Sequence, residues 1–213
     1  MWDTLIPPWQ AALEMAWEAY RAGTVPIGAA VADANGRIVS RGRNRILERE
    51  APEGQICNNE LAHAEINALL ELQLPYEEAR LAALYTTMEP CPLCMGAVYM
   101  SNVKTVHYAA RDPWAGSANL LGTTPYLSRK PFKAIAPSDI LLEKALVALH
   151  TEWQIFIRGE TIIASHFFDE YRAILPDAVE KGIELHHTGE ARTLKNTCGS
   201  AKDFFNQLIY RVQ

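Results

Sequence analysis

The chain has 213 residues, 49% hydrophobic and 21% charged, with 20 Lys and Arg against 25 Asp and Glu for a net charge of −5. That length buries roughly 70% of the unfolded surface in one core, and 4 cysteines exclude a disulfide-dense secreted module. No apolar run reaches the ~18 residues of a membrane-spanning helix, so a soluble globular chain is expected.

Trp9, Ala12, Leu13, Ala16, Trp17 and Tyr20 share one face at helical spacing, and Gly23 follows as a stop. Residues 26–33 and 37–44 read as two strands joined through Asn35-Gly36, a dipeptide that tolerates the positive φ angles of a tight hairpin. A polar loop from about 46 to 60 leads into a helix from Ala62 to Leu72, with Ile66, Leu69 and Leu70 inward. Residues 83–88 form a short buried strand that Pro90 ends, and a helix runs from there to Met100. Val103 to Ala109 is the next strand, Phe132 to Ala136 an edge strand. From Ser138 the helical period returns, with Leu142, Ala145, Leu146, Leu149 and Trp153 on one face.

Helices alternating with strands after an opening hairpin predict an α/β fold, a mixed sheet covered by helices on both faces. Residues 1–158 are expected to form this domain and residues 159–213 a mainly helical extension. Within the extension, Phe167, Tyr171, Ile174 and Ala178 mark one helix. Ser200-x-x-Asp203 has capping-box spacing before the apolar stripe Phe204, Phe205, Leu208, Ile209 and Val212. The stripe reads first as a tail packed on the domain, and alternatively as a subunit contact or a lid.

Two motifs carry chemistry: His63-Ala64-Glu65 and Pro90-Cys91-Pro92-Leu93-Cys94. At this composition a His-x-Glu is expected ~0.5 times by chance, and a Pro-preceded Cys-x-x-Cys only ~0.004 times. Cysteines three apart on a first helical turn point the same way, and a helix N-terminus favours the thiolate that binds metal. With His63 as third ligand, zinc keeps an open position, as catalytic rather than structural sites do. Two thiolates cancel the metal's charge and leave a bound water weakly acidic, so an adjacent base is useful. Glu65 is placed for that role. A redox or structural Cys-x-x-Cys and a non-catalytic, zinc-stabilised partner subunit are the competing readings.

These motifs resemble the cytidine/deoxycytidylate deaminase superfamily, in the branch of bacterial tRNA-adenosine deaminases and guanine deaminases that use His as first ligand. Val25-Pro26-Ile27-Gly28-Ala29, Gly42-Arg43-Asn44-Arg45 and Ala110-Arg111-Asp112-Pro113-x-Ala115-Gly116 extend the resemblance over roughly residues 8–155. It implies a five-stranded mixed sheet in a three-layer α/β/α fold, a homodimer, and Zn2+ on His63, Cys91 and Cys94 with Glu65 as proton shuttle. It also implies that Asn44 binds the base or sugar and that backbone at Ala29 and Ala64 lines the pocket. Asp112 and Trp114, on the loop after a strand, are candidate substrate contacts, although Asp112-Pro113 suits an Asx turn equally well.

Residues 1–100 carry 7 basic and 13 acidic groups, residues 101–158 carry 7 and 4, and residues 159–213 carry 6 and 8. Only a modest basic patch centred on Arg129, Lys130 and Lys133 results, whereas polyanion binders show a basic domain. The alternating Arg41, Arg43 and Arg45 read as a solvated strand face. A free base or small nucleoside is therefore favoured as substrate over tRNA. The segment 55–60 departs from the family pattern, and the last 55 residues have no counterpart in the minimal domain. The N-terminal sequence MWDTLIPPWQ has an acid and prolines where a signal peptide needs positive charge and an apolar run, which predicts a cytoplasmic location with no membrane contact.

Overall fold

The computed structural model describes residues 1–213. Helix α1 (Pro7–Ala22) opens with prolines at its first positions, where missing amides leave nothing unpaired, and ends on Gly23 at φ 83°. Strands β1 (Gly28–Ala32) and β2 (Ile38–Arg43) pair antiparallel. Their turn differs from the expected one: only Gly36 takes a positive φ, at 78°, while Asn35 does not. Gly36 N–H donates to Asp33 O, so the turn closes around Asp33 and a register shift follows at Val31/Ala32.

Helices α2 (Ala64–Leu70) and α3 (Tyr76–Ala79), strand β3 (Ala83–Thr86), helix α4 (Pro92–Met100), and strands β4 (Thr105–Tyr108) and β5 (Lys133–Ile135) complete the sheet unit. The order is β2-β1-β3-β4-β5, with β1 antiparallel to both neighbours and β3, β4 and β5 parallel. Alternation sorts the side chains. Ala29, Val31, Leu84 and Val106 face α2 and α4 in one cluster, while Ala30 and Tyr85 face α1 in another. Where the chain must approach itself closely, it uses glycine. A Cβ on Gly28 would run into α1 at Ala12 and Ala16, and one on Gly42 would run into α2 at Ala64 and Ala68. Gly42 thus lets α2, which carries Glu65, lie directly on β2.

Helix α5 (Ile140–Arg158) is capped by Asp139, whose carboxylate accepts from the amides of Leu141 and Leu142. The extension holds four helices, α6 (His166–Ile174), α7 (Pro176–Thr188), α8 (Glu190–Thr197) and α9 (Ala201–Val212). The single helix expected across Phe167–Ala178 is two, because Pro176 forces Leu175 out of helical geometry, to φ −143° and ψ 62°. Ser200 caps α9 by accepting from Asp203 N. The stripe of α9 is consumed inside the chain: Phe204, Phe205, Leu208, Ile209 and Val212 join Leu13, Trp17, Leu146 and Leu149 in one cluster of 33 buried residues. It is a tail packed on the domain. No helix is long and apolar enough to cross a membrane.

Candidate metal centre

His63 and Cys91 occupy equivalent places. Each is the extended residue just before a helix, His63 at φ −72° and ψ 156° ahead of α2, and Cys91 at φ −70° and ψ 173° ahead of α4. Pro92 at the first position of α4 fixes the entry of that helix, and Cys94 lies one turn in. The two helix starts face each other, bringing His63 Nδ1 to 3.5 Å from Cys91 Sγ and 3.4 Å from Cys94 Sγ, with the sulfurs 3.6 Å apart. Tetrahedral zinc with ordinary Zn–S and Zn–N bonds needs edges of about 3.8 Å between sulfurs and about 3.6 Å between sulfur and nitrogen. The donor set fits that ion. These three residues form a group of metal-ligand type with all donor atoms within 4.8 Å of one another.

The hydrogen bond between the sulfurs and burial hold the Cys94 thiol well above its usual range, and the same bond pulls Cys91 down to about 4. Cys91 is therefore the ready thiolate. The bond to Cys91 raises His63. Burial raises the Glu65 carboxyl; its Oε1 accepts from Thr86 Oγ1 at 3.0 Å, and its Oε2 lies 3.4 Å from Cys94 Sγ. Thr86 is fully buried on the α2 face of β3, and its positioning of Glu65 had no signal in the sequence beyond strand parity.

Beside the ligands opens a cavity of about 260 Å³, at the small end for ligand pockets. His63, Glu65 and Cys91 line it, as do the expected contacts Asn44, Asp112 and Trp114. Asn44 Oδ1 accepts from Thr24 Oγ1 and from the amide of Ile46. Asp112 forms the Asx turn: its Oδ1 accepts from the amides of Trp114 and Ala115, and also from Tyr171 Oη at 2.8 Å. Ala29 and Ala64 are fully buried in the sheet–α2 cluster and are not among the residues of the cavity wall. Sequence reasoning missed His150, Gln154 and Arg158 of α5 and Phe167 of α6, all of which line the cavity. The spacing of four between the α5 residues was the available signal, a polar edge beside the apolar face.

Several charged and polar residues find partners within the chain. Arg41 is solvated and pairs with Glu14, but Arg43 and Arg45 are not part of a solvated face: Arg43 pairs with Glu18 and Glu48, and Arg45 with Glu48. Lys130 donates to Tyr99 O and lies over its ring, and Arg129 stacks on Tyr126. Cys57 and Cys198 are half-buried. His166, His186 and His187 lie beside the carboxylates Glu170, Glu152 and Glu160, and His107 stacks flat on Tyr85.

Residues 8–110 match the family described as the cytidine and deoxycytidylate deaminase zinc-binding region. The chain is 36% identical over 135 residues to the tRNA-specific adenosine deaminase of Bacillus subtilis, covering 62% of this chain and 78% of that one. It is 34% identical over 110 residues to the guanine deaminase of the same organism, covering 50% and 65%. A longer relative, the tRNA(Ile)-lysidine synthase of Deinococcus radiodurans, is 38% identical over 110 residues, which span 50% of this chain but only 17% of that protein. A structure solved in complex with 2,6-diaminopurine aligns at a TM-score of 0.51 with 26% identity, over 70% of this chain and 82% of that one. Ligand geometry suited to zinc, the matched region that contains it, and a relative covered over most of its length lead to one statement: the chain belongs to the cytidine and deoxycytidylate deaminase family.

Proposed function

We propose that this protein is a zinc-dependent hydrolase of C–N bonds that converts the exocyclic amine of a nucleobase, held as free base or small nucleoside, to a carbonyl and releases ammonia. The observation that carries this reading is the buried Glu65 carboxyl lining the same cavity as His63 and Cys91. His63, Cys91 and Cys94 would hold zinc, which when bound would supply Lewis-acid activation of water. Glu65 takes a proton from the attacking water and delivers it to a ring nitrogen or the leaving amine, with Thr86 holding one of its oxygens. Asn44 and Asp112 orient the ring from the strand ends, and Trp114 and Phe167, whose rings meet edge-on at 5.6 Å, give it an aromatic boundary.

A small substrate is favoured because the cavity is base-sized and α6 forms part of its wall. Residues 1–158 then act as the catalytic unit and 159–213 as the extension that completes the wall, in a cytoplasmic enzyme. Pairing of two copies rests on the family resemblance alone and is read by sedimentation. The 36% identity to a tRNA-specific adenosine deaminase supports a second reading, adenosine in tRNA. Against it, Arg43 and Arg45 are ion-paired with Glu48, and Lys130 of the middle patch donates to Tyr99 O. The test is ammonia release by the zinc-loaded protein from free bases, nucleosides, nucleotides and tRNA, with added salt. Release from a small ring, insensitive to salt, supports the first reading. Release from tRNA alone, weakening steeply with salt, replaces it with the second.

A further inference from the structure

The wall of the cavity away from the metal ligands is built by a segment outside the matched residues 8–110. His150, Gln154 and Arg158 lie four apart on α5 and all line the cavity. His150 and Gln154 are each only 6% exposed, so they are inner wall rather than rim. Gln154 Nε2 lies 3.0 Å from His150 Nε2. The imidazole is held on its flanks by the Phe167 ring at 6.0 Å and the Tyr171 ring at 5.7 Å.

A buried imidazole kept neutral has one nitrogen that donates and one that accepts. Burial pushes His150 down to about 4, so it is neutral at ordinary pH. Its Nε2 receives the Gln154 N–H, which leaves the ring hydrogen on Nδ1. Gln154 Oε1 is sealed off without a partner, whereas His150 Nδ1 is not among the sealed atoms and has no partner in the chain. Nδ1 therefore keeps access to the cavity that its ring lines. Asn44, whose Oδ1 is occupied by Thr24 and Ile46, offers its NH2 in the same cavity.

We propose that His150 Nδ1–H is a substrate-reading donor of this cavity and that Gln154 is the positioning residue that fixes its tautomer. The substrate class is an aminated heterocycle with an acceptor, a ring nitrogen or carbonyl oxygen, on the edge that meets α5. The proposal rests on the deaminase reading of the same cavity. It places the choice of ring on α5, separate from the chemistry of His63, Glu65, Cys91 and Cys94.

The test uses the full zinc-loaded chain carrying Glu65→Ala, so that binding is read without turnover. The probes are adenine, guanine and cytosine together with their deaza analogues, in which one acceptor nitrogen is replaced by C–H. With His150 present, one deaza position is expected to weaken binding about 10-fold, the size of one neutral hydrogen bond in a dry site. In His150→Phe, or His150→Gln should the first fold poorly, parent and analogue bind within about 2-fold. Nitrogen NMR of the labelled imidazole reads the tautomer directly: Nδ1–H in the parent, a mixture of both tautomers in Gln154→Met, which lacks the donor to Nε2, and Nε2–H in Gln154→Glu, where the carboxylate demands that proton.

Equal deaza penalties with and without His150, or a parent imidazole protonated on Nε2, overturn the inference. Ammonia release by the parent with no dependence on His150 also overturns it and leaves the deaminase reading intact. The His150-dependent binding pattern without ammonia release from any ring keeps the inference and removes the catalytic reading. Absence of binding by every probe overturns both.

Discussion

The two halves of the cavity wall have different origins. One comes from helix starts and strand ends within residues 8–110, where His63, Glu65, Cys91 and Cys94 sit on short, locally dictated geometry. The other comes from α5 and α6, where His150, Gln154 and Phe167 arrive by long-range packing of the C-terminal helices. Chemistry here is written locally, since a cap residue and a helix turn suffice to aim a ligand. Ring selection is written in tertiary packing, which can change without disturbing the ligands.

The sharpest way to break that division is Glu65→Gln, which removes the proton shuttle and leaves the ligands alone. Activity is expected to fall about 10²- to 10⁴-fold while zinc content stays at the parental level; loss of zinc as well would merge two roles held here to be separate. On the α5 side, His150 gives a pH signature. Its pKa in the fold, about 4, lies below that of the unfolded chain, with burial as the cause and the nearby Arg158 adding to it against the Asp112 charge. The unfolded chain therefore binds the proton first as pH falls. Its contribution is complete above pH 6.5 and is lost progressively toward pH 4, up to ~3 kcal/mol in total. Denaturant unfolding across that window should show a steeper decline for the parent than for His150→Phe; parallel curves would mean the imidazole is not held neutral.

How much of this was legible follows from the same division. The ligand cluster, the position of Glu65 beside it and the succession of helices and strands could be read because motif spacing and side-chain periodicity are local. The turn at Asn35-Gly36 was misjudged because the Asp33 carboxylate accepts from the amides of Asn35 and Arg37 and organises a different turn. The break at Leu175-Pro176 was open to a reading of the proline and was passed over in favour of the apolar spacing around it. The α9 stripe was assigned three outcomes because an amphipathic face does not say which surface covers it; α1 and α5 do. Arg43 was misplaced because one of its partners, Glu18, lies on α1, distant in sequence, whereas the Arg45–Glu48 pair is local and was overlooked.

Smaller effects sharpen the contact between the halves and the sheet. Gly42→Ala pushes α2 off β2 at Ala64 and Ala68, and overpacking of this kind costs about 1–3 kcal/mol. Its melt should shift down and its turnover fall with it, since Glu65 rides on α2; a parental turnover would show that α2 has slack. Tyr171→Phe deletes the bond from the extension to Asp112, for about 1 kcal/mol in unfolding free energy. Substrate KM is expected to move more than kcat, and an unchanged KM would detach the extension from the site.

The central claim is that this cavity hydrolyses an amine on a ring, and turnover in heavy-oxygen water tests it most directly. The account predicts one ammonia per product and one solvent-derived oxygen at the carbon that carried the amine, in the parent and not in Glu65→Gln. Ammonia released without solvent oxygen in the product, or the same yield from Glu65→Gln, would contradict it.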